Sequence, residues 1–275
     1  MRKLINLVPS RGSALFLGAL PFVVLAIIYV VASDTRLHDN PNDKLLPALG
    51  SFADTIKQYA FESDKRTGAI LLWQDTASSV WRLCQGLLIS AGVGLFGAIL
   101  LGTFPYVRAG FNPFVGALSL IPPLALLPIL FIVFGLGEVA KVALIVIGIT
   151  PFIMRDLSLR IDEIPHEQLV KAQTLGASSW TLILRVILPQ IWPRLLSALR
   201  LSLGAAWLFL IAAEAIASDD GLGYRIFLVR RYLAMDVILP YVVWITLLAY
   251  AMDWLLALLT QKMFPWYQPV KGRRS

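Results

Sequence analysis

The sequence has few of the side chains from which most active sites are built. Cys84 is its only cysteine, which excludes an intrachain disulfide and a cysteine-based metal cluster. His38 and His166 are its only histidines, leaving little material for a zinc, copper or haem site. No lysine follows a glycine, so there is no phosphate-binding P-loop, and no G-x-S-x-G nucleophile motif occurs. Two other motifs fail on inspection. His166-Glu167-Gln168-Leu169-Val170 begins like a zinc-protease helix but has valine where the second ligand should stand. Gly92-Val-Gly94-Leu-Phe-Gly97 has dinucleotide-loop spacing, yet it lies inside an apolar run rather than between a strand and a helix. Charge is also scarce, at 15% of residues, where a soluble domain carries about a quarter.

What the chain has is apolar length. Hydrophobic residues make up 58% of it, and mean hydropathy is +0.74. Crossing the hydrocarbon takes roughly 20 mostly apolar residues, and about six runs qualify. The expected spans are Ser13–Ala32, Val80–Phe104, Pro113–Phe134, Val139–Leu157, Ile191–Ala217 and Val237–Gln261. The first is too long for a signal-peptide core and has no small-x-small cleavage site, so it reads as an uncleaved span. The fold class is therefore all-α integral membrane. The net charge of +7 fits basic residues flanking spans and meeting lipid headgroups better than it fits nucleic acid.

The expected order is an N-terminal segment 1–12, a first span 13–32, a polar segment 33–79, a core 80–262 with a polar loop at about 158–190, and a tail 263–275. Leu49, Phe52, Ile56, Tyr59 and Ala60 are spaced as one face of a short amphipathic helix within the polar segment. Six spans put both termini on one side. The excess of basic residues, Arg2, Lys3, Lys271, Arg273 and Arg274 among them, assigns that side to the cytoplasm.

Within the second span, Gly86, Ser90, Gly94, Ala98 and Gly102 recur every fourth residue and form a stripe on which another helix can approach closely. Pro122, Pro123 and Pro128 interrupt the third span. They predict a kink or unwinding, either simply packed or lining a pathway.

The loop after the fourth span carries the most information. Pro165 suits the first position of a helix, after the acidic Asp162 and Glu163. Residues 166–175 have helical composition and Gly176 is a natural stop. Ser178 or Ser179 can cap a second helix that reaches a break at Leu188-Pro189. On composition alone this could be an ordinary solvated loop.

The stretch Gln168–Ser178, followed by Val186-Ile187-Leu188-Pro189, resembles the EAA loop of ABC importer permeases: E-A-A, three residues, Gly, nine residues, Ile-x-Leu-Pro. Ala172, Gly176, Leu188 and Pro189 match, while Val170 and Lys171 replace the glutamate and first alanine. Ala213–Tyr224, with Glu214 and Gly221-Leu222-Gly223, resembles the end of the fifth span in nitrate/sulfonate/taurine-type permeases. Residues 40–47 and Phe264-Pro265-Trp266-Tyr267 are similar to a branch of that subgroup associated with urea-carboxylase genes and guanidine uptake.

The resemblance implies a type I importer permease: a transport subunit rather than an enzyme, carrying a small polar solute such as nitrate, a sulfonate, taurine or guanidinium. Its partners would be ABC ATPase subunits, a periplasmic solute-binding protein, a second permease copy and the lipid of the bacterial inner membrane. No cofactor is expected on this chain, because ATP and magnesium would sit on the ATPase. Pro165, Ala172, Leu175, Gly176, Ala177, Leu188 and Pro189 would form the ATPase-coupling element. Glu214, Pro122 and Pro123 are pathway candidates, with Glu214 alternatively an interfacial residue bonded to backbone donors around Gly221–Gly223. The competing classes are a self-contained secondary transporter or channel and a membrane enzyme. The first would need ionisable residues deep in several spans, whereas Arg200, Glu214 and Asp253 read as lying toward span ends, with Glu138 and Lys141 at a loop. The second has no nucleophile–base or metal constellation.

Overall fold

The computed structural model describes residues 10–40, 43–65 and 68–267. The expectations resting on Arg2, Lys3, Lys271, Arg273 and Arg274 lie outside them. The described residues are helical, with no strand among them. Among the described residues five helices are long and apolar enough to cross a membrane, or six if one bent helix pair counts as a single span. The chain divides into two compact units, one taking in the chain up to Ile70 with Val229–Pro240, the other Leu71–Leu228 and the chain from Tyr241 onward.

In the first unit, α1 (Arg11–Asp39) is capped by Ser10 and runs beyond the expected Ala32. The Tyr29 hydroxyl donates to the Pro47 carbonyl at 2.8 Å and Ser33 to that of Leu46 at 2.9 Å, so these polar groups need not end the helix. The amphipathic helix is α2 (Leu49–Phe61), but Leu49 and Ile56 of its apolar face stay exposed while Thr55 and Ala60 are buried.

The second unit is built on α3 (Leu71–Thr103), which begins nine residues before the expected Val80. Between α3 and α6 come α4 (Pro105–Leu118), a 3-10 turn over Pro123–Leu126, and α5 (Leu127–Phe134). The two halves of this span are bent by 82° at the Pro122-Pro123 break. α6 (Glu138–Asp162) returns parallel to α3 along the small-residue stripe. A Cβ at Gly86, Gly94 or Gly102 would lie 2.6–2.7 Å from Ile145, Ile153 or Ile161 respectively. The matched eight-residue steps on both helices fix the parallel register, and the absent side chains allow the close approach.

α7 (His166–Thr174) and α8 (Ser179–Leu182) form the polar loop, and α9 (Leu188–Ile216) packs against α6 and α3. Gly148 of α6 gives room to the Phe209 ring, which would be 2.3 Å from a Cβ there. The expected break at Leu188-Pro189 is absent. α8 and α9 are joined through a π-helical turn over Ile183–Ile187 into one helical run, Ser179–Ile216, of 38 residues. Proline lacks the donor for an i−4 bond and its ring crowds that carbonyl. The wider turn, in which the Leu188 N–H reaches the Ile183 carbonyl, accommodates it without breaking the helix. α10 (Leu222–Arg230) and α11 (Met235–Met263) complete the chain.

Candidate functional site

Two polar constructions stand at opposite ends of α9. The first is the loop before it. Pro165 occupies the N-cap of α7, one residue earlier than expected, and α7 stops in a paired hydrogen-bond closure. The Gly176 N–H donates to the Gln173 carbonyl at 2.9 Å and the Ala177 N–H to that of Ala172 at 3.0 Å. This is the Schellman pattern, which requires a left-handed residue, and Gly176 supplies it with φ +83°. Ser178 then accepts from the Thr181 N–H at 3.2 Å and caps α8. Ala172, Gly176, Ala177 and Ser178 thus set one sharp corner between two short helices.

That corner leaves apolar side chains in the open. Leu175 is 88% exposed and Trp180 72%, with Val170 and Leu184 exposed nearby. On the other side, Leu169, Leu182 and Ile187 line a cavity of about 400 Å³ against Gly102, Thr103, Ile161 and Asp162 at the ends of α3 and α6. The loop is braced there by the Arg108–Asp162 ion pair and by Gln190 donating to Gln168 at 3.3 Å. Leu188 is half-buried at the start of α9 and Pro189 is exposed beside it.

The second construction surrounds Glu214, whose side chain has no exposed surface. Asp75, Ser79 and Arg82 occur at i, i+4 and i+7 on α3 and so share a face. Arg82 uses all five guanidinium N–H groups. It forms a bidentate pair with Glu138, bonds Glu214 Oε1 at 2.8 Å, and meets both the carboxylate and the carbonyl of Asp220. Glu214 also accepts from Ser79 at 2.8 Å and from the Gly223 N–H at 2.9 Å. Lys141 bridges Glu138 and Ser218, while Asp75 takes Arg225, the Gly221 N–H and the Tyr241 hydroxyl. The glycines are needed for this closeness. A Cβ at Gly221, whose φ is +112°, would be 2.6 Å from the Glu214 carboxylate, and one at Gly223 would be 2.7 Å from the Ile211 carbonyl.

Burial alone would push the Asp220 carboxyl up. The hydrogen bonds from Arg82 and Ser78 outweigh it and hold its pKa below the ordinary aspartate value. No group of three or more potential metal ligands occurs among the described residues.

Of the expected site residues, the structure gathers those of the loop at one end of α9 and leaves Glu214 at the other. Pro122 and Pro123 lie apart from both, at the bend between α4 and α5, where Pro123 lines a cavity of about 440 Å³ with Arg155 and Phe209. The distant members of this cluster are hidden in sequence. Asp75 and Ser79 fall in the stretch expected as a polar segment, and Arg82 is an isolated charge in an apolar run. The signal that could have found them is the helical spacing of Asp75, Ser79 and Arg82. Arg200 and Asp253 do not lie toward span ends. Arg200 is twelve residues after Leu188 and sixteen before Ile216, and it forms a bidentate pair with Asp253, at 2.8 Å for each bond.

The sequence family described as the binding-protein-dependent transport system inner membrane component matches residues 86–265. The chain is 34% identical over 200 residues to the taurine transport system permease protein of Escherichia coli K12, covering 73% of each protein. It is 30% identical over 194 residues to a putative aliphatic sulfonates transport permease protein of Bacillus subtilis 168, covering 70% of each. It is also 29% identical over 210 residues to a nitrate import permease protein of Synechococcus elongatus, covering 75% of each. Among solved structures, the MetNI methionine ABC transporter in an inward-facing form has a chain that aligns with a TM-score of 0.57. That alignment is at 22% identity and covers 70% of this chain and 93% of that one. At that identity the likeness speaks to the fold.

Proposed function

The chain belongs to the family of binding-protein-dependent transport system inner membrane components, a permease subunit of an ATP-driven importer, and from that premise we propose how it is assembled and driven. The loop from Pro165 to Ile187 is the docking element for a separate ATPase chain, which holds ATP and magnesium. The termini and this loop lie in the cytoplasm, and the Glu214 end of α9 faces the periplasm and a solute-binding protein. Two copies of the chain enclose the pathway. The solute is small and polar. The names of the relatives favour taurine, a sulfonate or nitrate, and the likeness in residues 40–47 and 264–267 adds guanidinium, so a binding competition between these separates them.

The observation that carries the reading is the Gly176 corner, which presents Leu175 and Trp180 to the outside. A cluster of exposed apolar side chains rimmed by polar ones is the mark of a surface that a protein partner covers. The 38-residue helical run Ser179–Ile216 starts in this loop and extends for about 57 Å. A push on α7 and α8 therefore reaches Glu214 through one stiff element, the kind of rigid-body coupling that alternating access needs.

Gly176→Val tests the reading. A Cβ at Gly176 would meet nothing within 4 Å, so the first added atom has room. The substitution costs about 1–2 kcal/mol because a branched residue is forced into the left-handed region. The variant should insert normally but lose recovery of the ATPase in pull-downs and lose ATP-driven uptake. Normal uptake with normal recovery of the ATPase would reject the assignment.

A further inference from the structure

α9 is 29 residues long, about 44 Å, against a hydrocarbon core of about 30 Å. Arg200 stands about 18 Å from Leu188 and 24 Å from Ile216, so it falls within the core wherever the membrane is set along the helix. The same holds for Asp253, eighteen residues after Met235 and ten before Met263 in the 29-residue α11. Yet the pair is not enclosed, since the two side chains are 36% and 40% exposed. Arg200 spends only Nε and one Nη2 hydrogen on Asp253. Its other three N–H groups have no protein acceptor among the described residues. Guanidinium donors left bare against lipid are strongly disfavoured, and charges at this depth face water or protein instead. The α9 face around Arg200 is open as well: Leu201, Gly204, Ala205 and Leu208 are exposed, and the space beside Gly204 is empty.

We propose that this face of α9 lines the aqueous solute pathway, and that the free edge of Arg200 is a mid-membrane contact for an oxyanion group of the passing solute. The proposal rests on the permease reading above. The free edge offers parallel N–H donors, the geometry that pairs with two oxygens of a sulfonate, carboxylate or nitrate. Asp253 holds the guanidinium in place and balances its charge when no solute is present, so the site is neutral at rest and does not trap anions. The solute meets the free edge while Asp253 keeps Nε and one Nη2 hydrogen, so binding breaks no bond of the pair.

The test uses the ATPase-bound complex in lipid vesicles, with Cys84→Ser and Gly204→Cys. Position 204 has room for the side chain, and its Cβ tilts toward the helix N-terminus, over Arg200 one turn below. Reaction rates are measured with an anionic and a cationic methanethiosulfonate, the ethylsulfonate and the ethyltrimethylammonium reagents. The expected result is reaction with both. Arg200→Gln should slow the anion and speed the cation by about threefold each, roughly tenfold in their ratio, as expected for a unit charge about 6 Å away in water. Asp253→Asn should shift the ratio the other way, and the double variant should fall between them. Reaction with uncharged N-ethylmaleimide but neither charged reagent would overturn the proposal, because the face would then be dry. So would oxidative cross-linking of position 204 to a second copy with protection from both reagents. A ratio unmoved by either charge variant would overturn the role of Arg200. A complex that binds no ATPase would sink the permease assembly instead, and is scored separately by pull-down before labelling.

Discussion

Arg82 is the point at which the Glu214 end of the second unit should fail first. It is 4% exposed and joins α3 to Glu138 on α6, Glu214 on α9 and Asp220 in the following loop. In Arg82→Gln the neutral amide cannot span three carboxylates. Glu214, fully enclosed, keeps only the Ser79 hydroxyl and the Gly223 N–H. Breaking a buried ion pair from one side costs about 3–5 kcal/mol, because a charge is left uncompensated. Glu214→Gln should cost less, about 1.5–3 kcal/mol, since Arg82 retains Glu138 and Asp220 and no charge is stranded, although the amide nitrogen faces a donor, Arg82 or the Gly223 N–H, where an oxygen accepted. The double variant removes the stranded charge together with its lost partner. It should therefore be more stable than the sum of the singles by about 1–3 kcal/mol. The assay is equilibrium unfolding in mixed micelles with increasing SDS, followed by helical circular dichroism. A cost below about 1 kcal/mol for Arg82→Gln, or strict additivity of the two substitutions, would refute the reasoning.

Three further outcomes follow from the geometry. Gly86→Val should destabilise the α3–α6 pair by about 1–3 kcal/mol, because its Cβ would lie 2.6 Å from Ile145, and Ile145→Ala should restore part of the loss in the same unfolding assay. The Asp220 carboxyl has a lowered folded-state pKa. Its stabilising effect is thus complete above the ordinary aspartate value of about 3.9 and is lost as pH falls through the lower folded value. The difference in melting temperature between wild type and Asp220→Asn should then be constant from pH 7 to pH 5 and shrink only below about pH 4; a change between pH 7 and 5 would contradict this. Leu175→Ser should alter the stability of the chain by less than about 0.5 kcal/mol, since the side chain is 88% exposed, but reduce ATPase recovery in pull-downs.

How far the fold could be read in advance depended on which force dominated each element. Hydrophobic length alone marks the long apolar helices, though the third expected run, Pro113–Phe134, is a bent pair that starts at Pro105, and the Gly86–Gly102 stripe marks the α3–α6 contact, because close packing leaves a compositional mark every fourth residue. The loop corner was legible for a similar reason: Gly176 and Ser178 are local signals, and their bonds lie within a few residues of them. The helix ends were read less well. α3 starts at Leu71 because Asp75, Thr76, Ser78 and Ser79 find partners far along the chain, Thr76 accepting from Trp244 and Ser78 donating to Asp220. A window of hydropathy treats such residues as solvated. Pro189 misled in the opposite sense, since a proline reads as a stop while a single π turn absorbs it.

The Glu214 cluster was half legible, and the missing half concerns charge at a distance. Gly221 and Gly223 stand close in sequence to Glu214, so the bond to the Gly223 N–H was one of two readings open from the start. Asp75 and Arg82, by contrast, lie more than 130 residues away and reach the loop only once α3 and α9 are antiparallel neighbours. An apolar seam could have held the same helices, and at less desolvation cost. It would also have tolerated a slip, because methyl groups have no preferred direction. A guanidinium with every N–H engaged tolerates none: shifting α3 by one residue would swing Arg82 about 100° around its axis and away from three carboxylates at once. The chain therefore places charge where α3, α6 and the 218–225 loop must meet in one register, and leaves apolar contacts to the length of the spans. The same logic separates Arg82 from Arg200. Arg82 has no donor left over and is buried as a fastener. Arg200 keeps three N–H groups unspent on an open face, and a fastener would have no use for them.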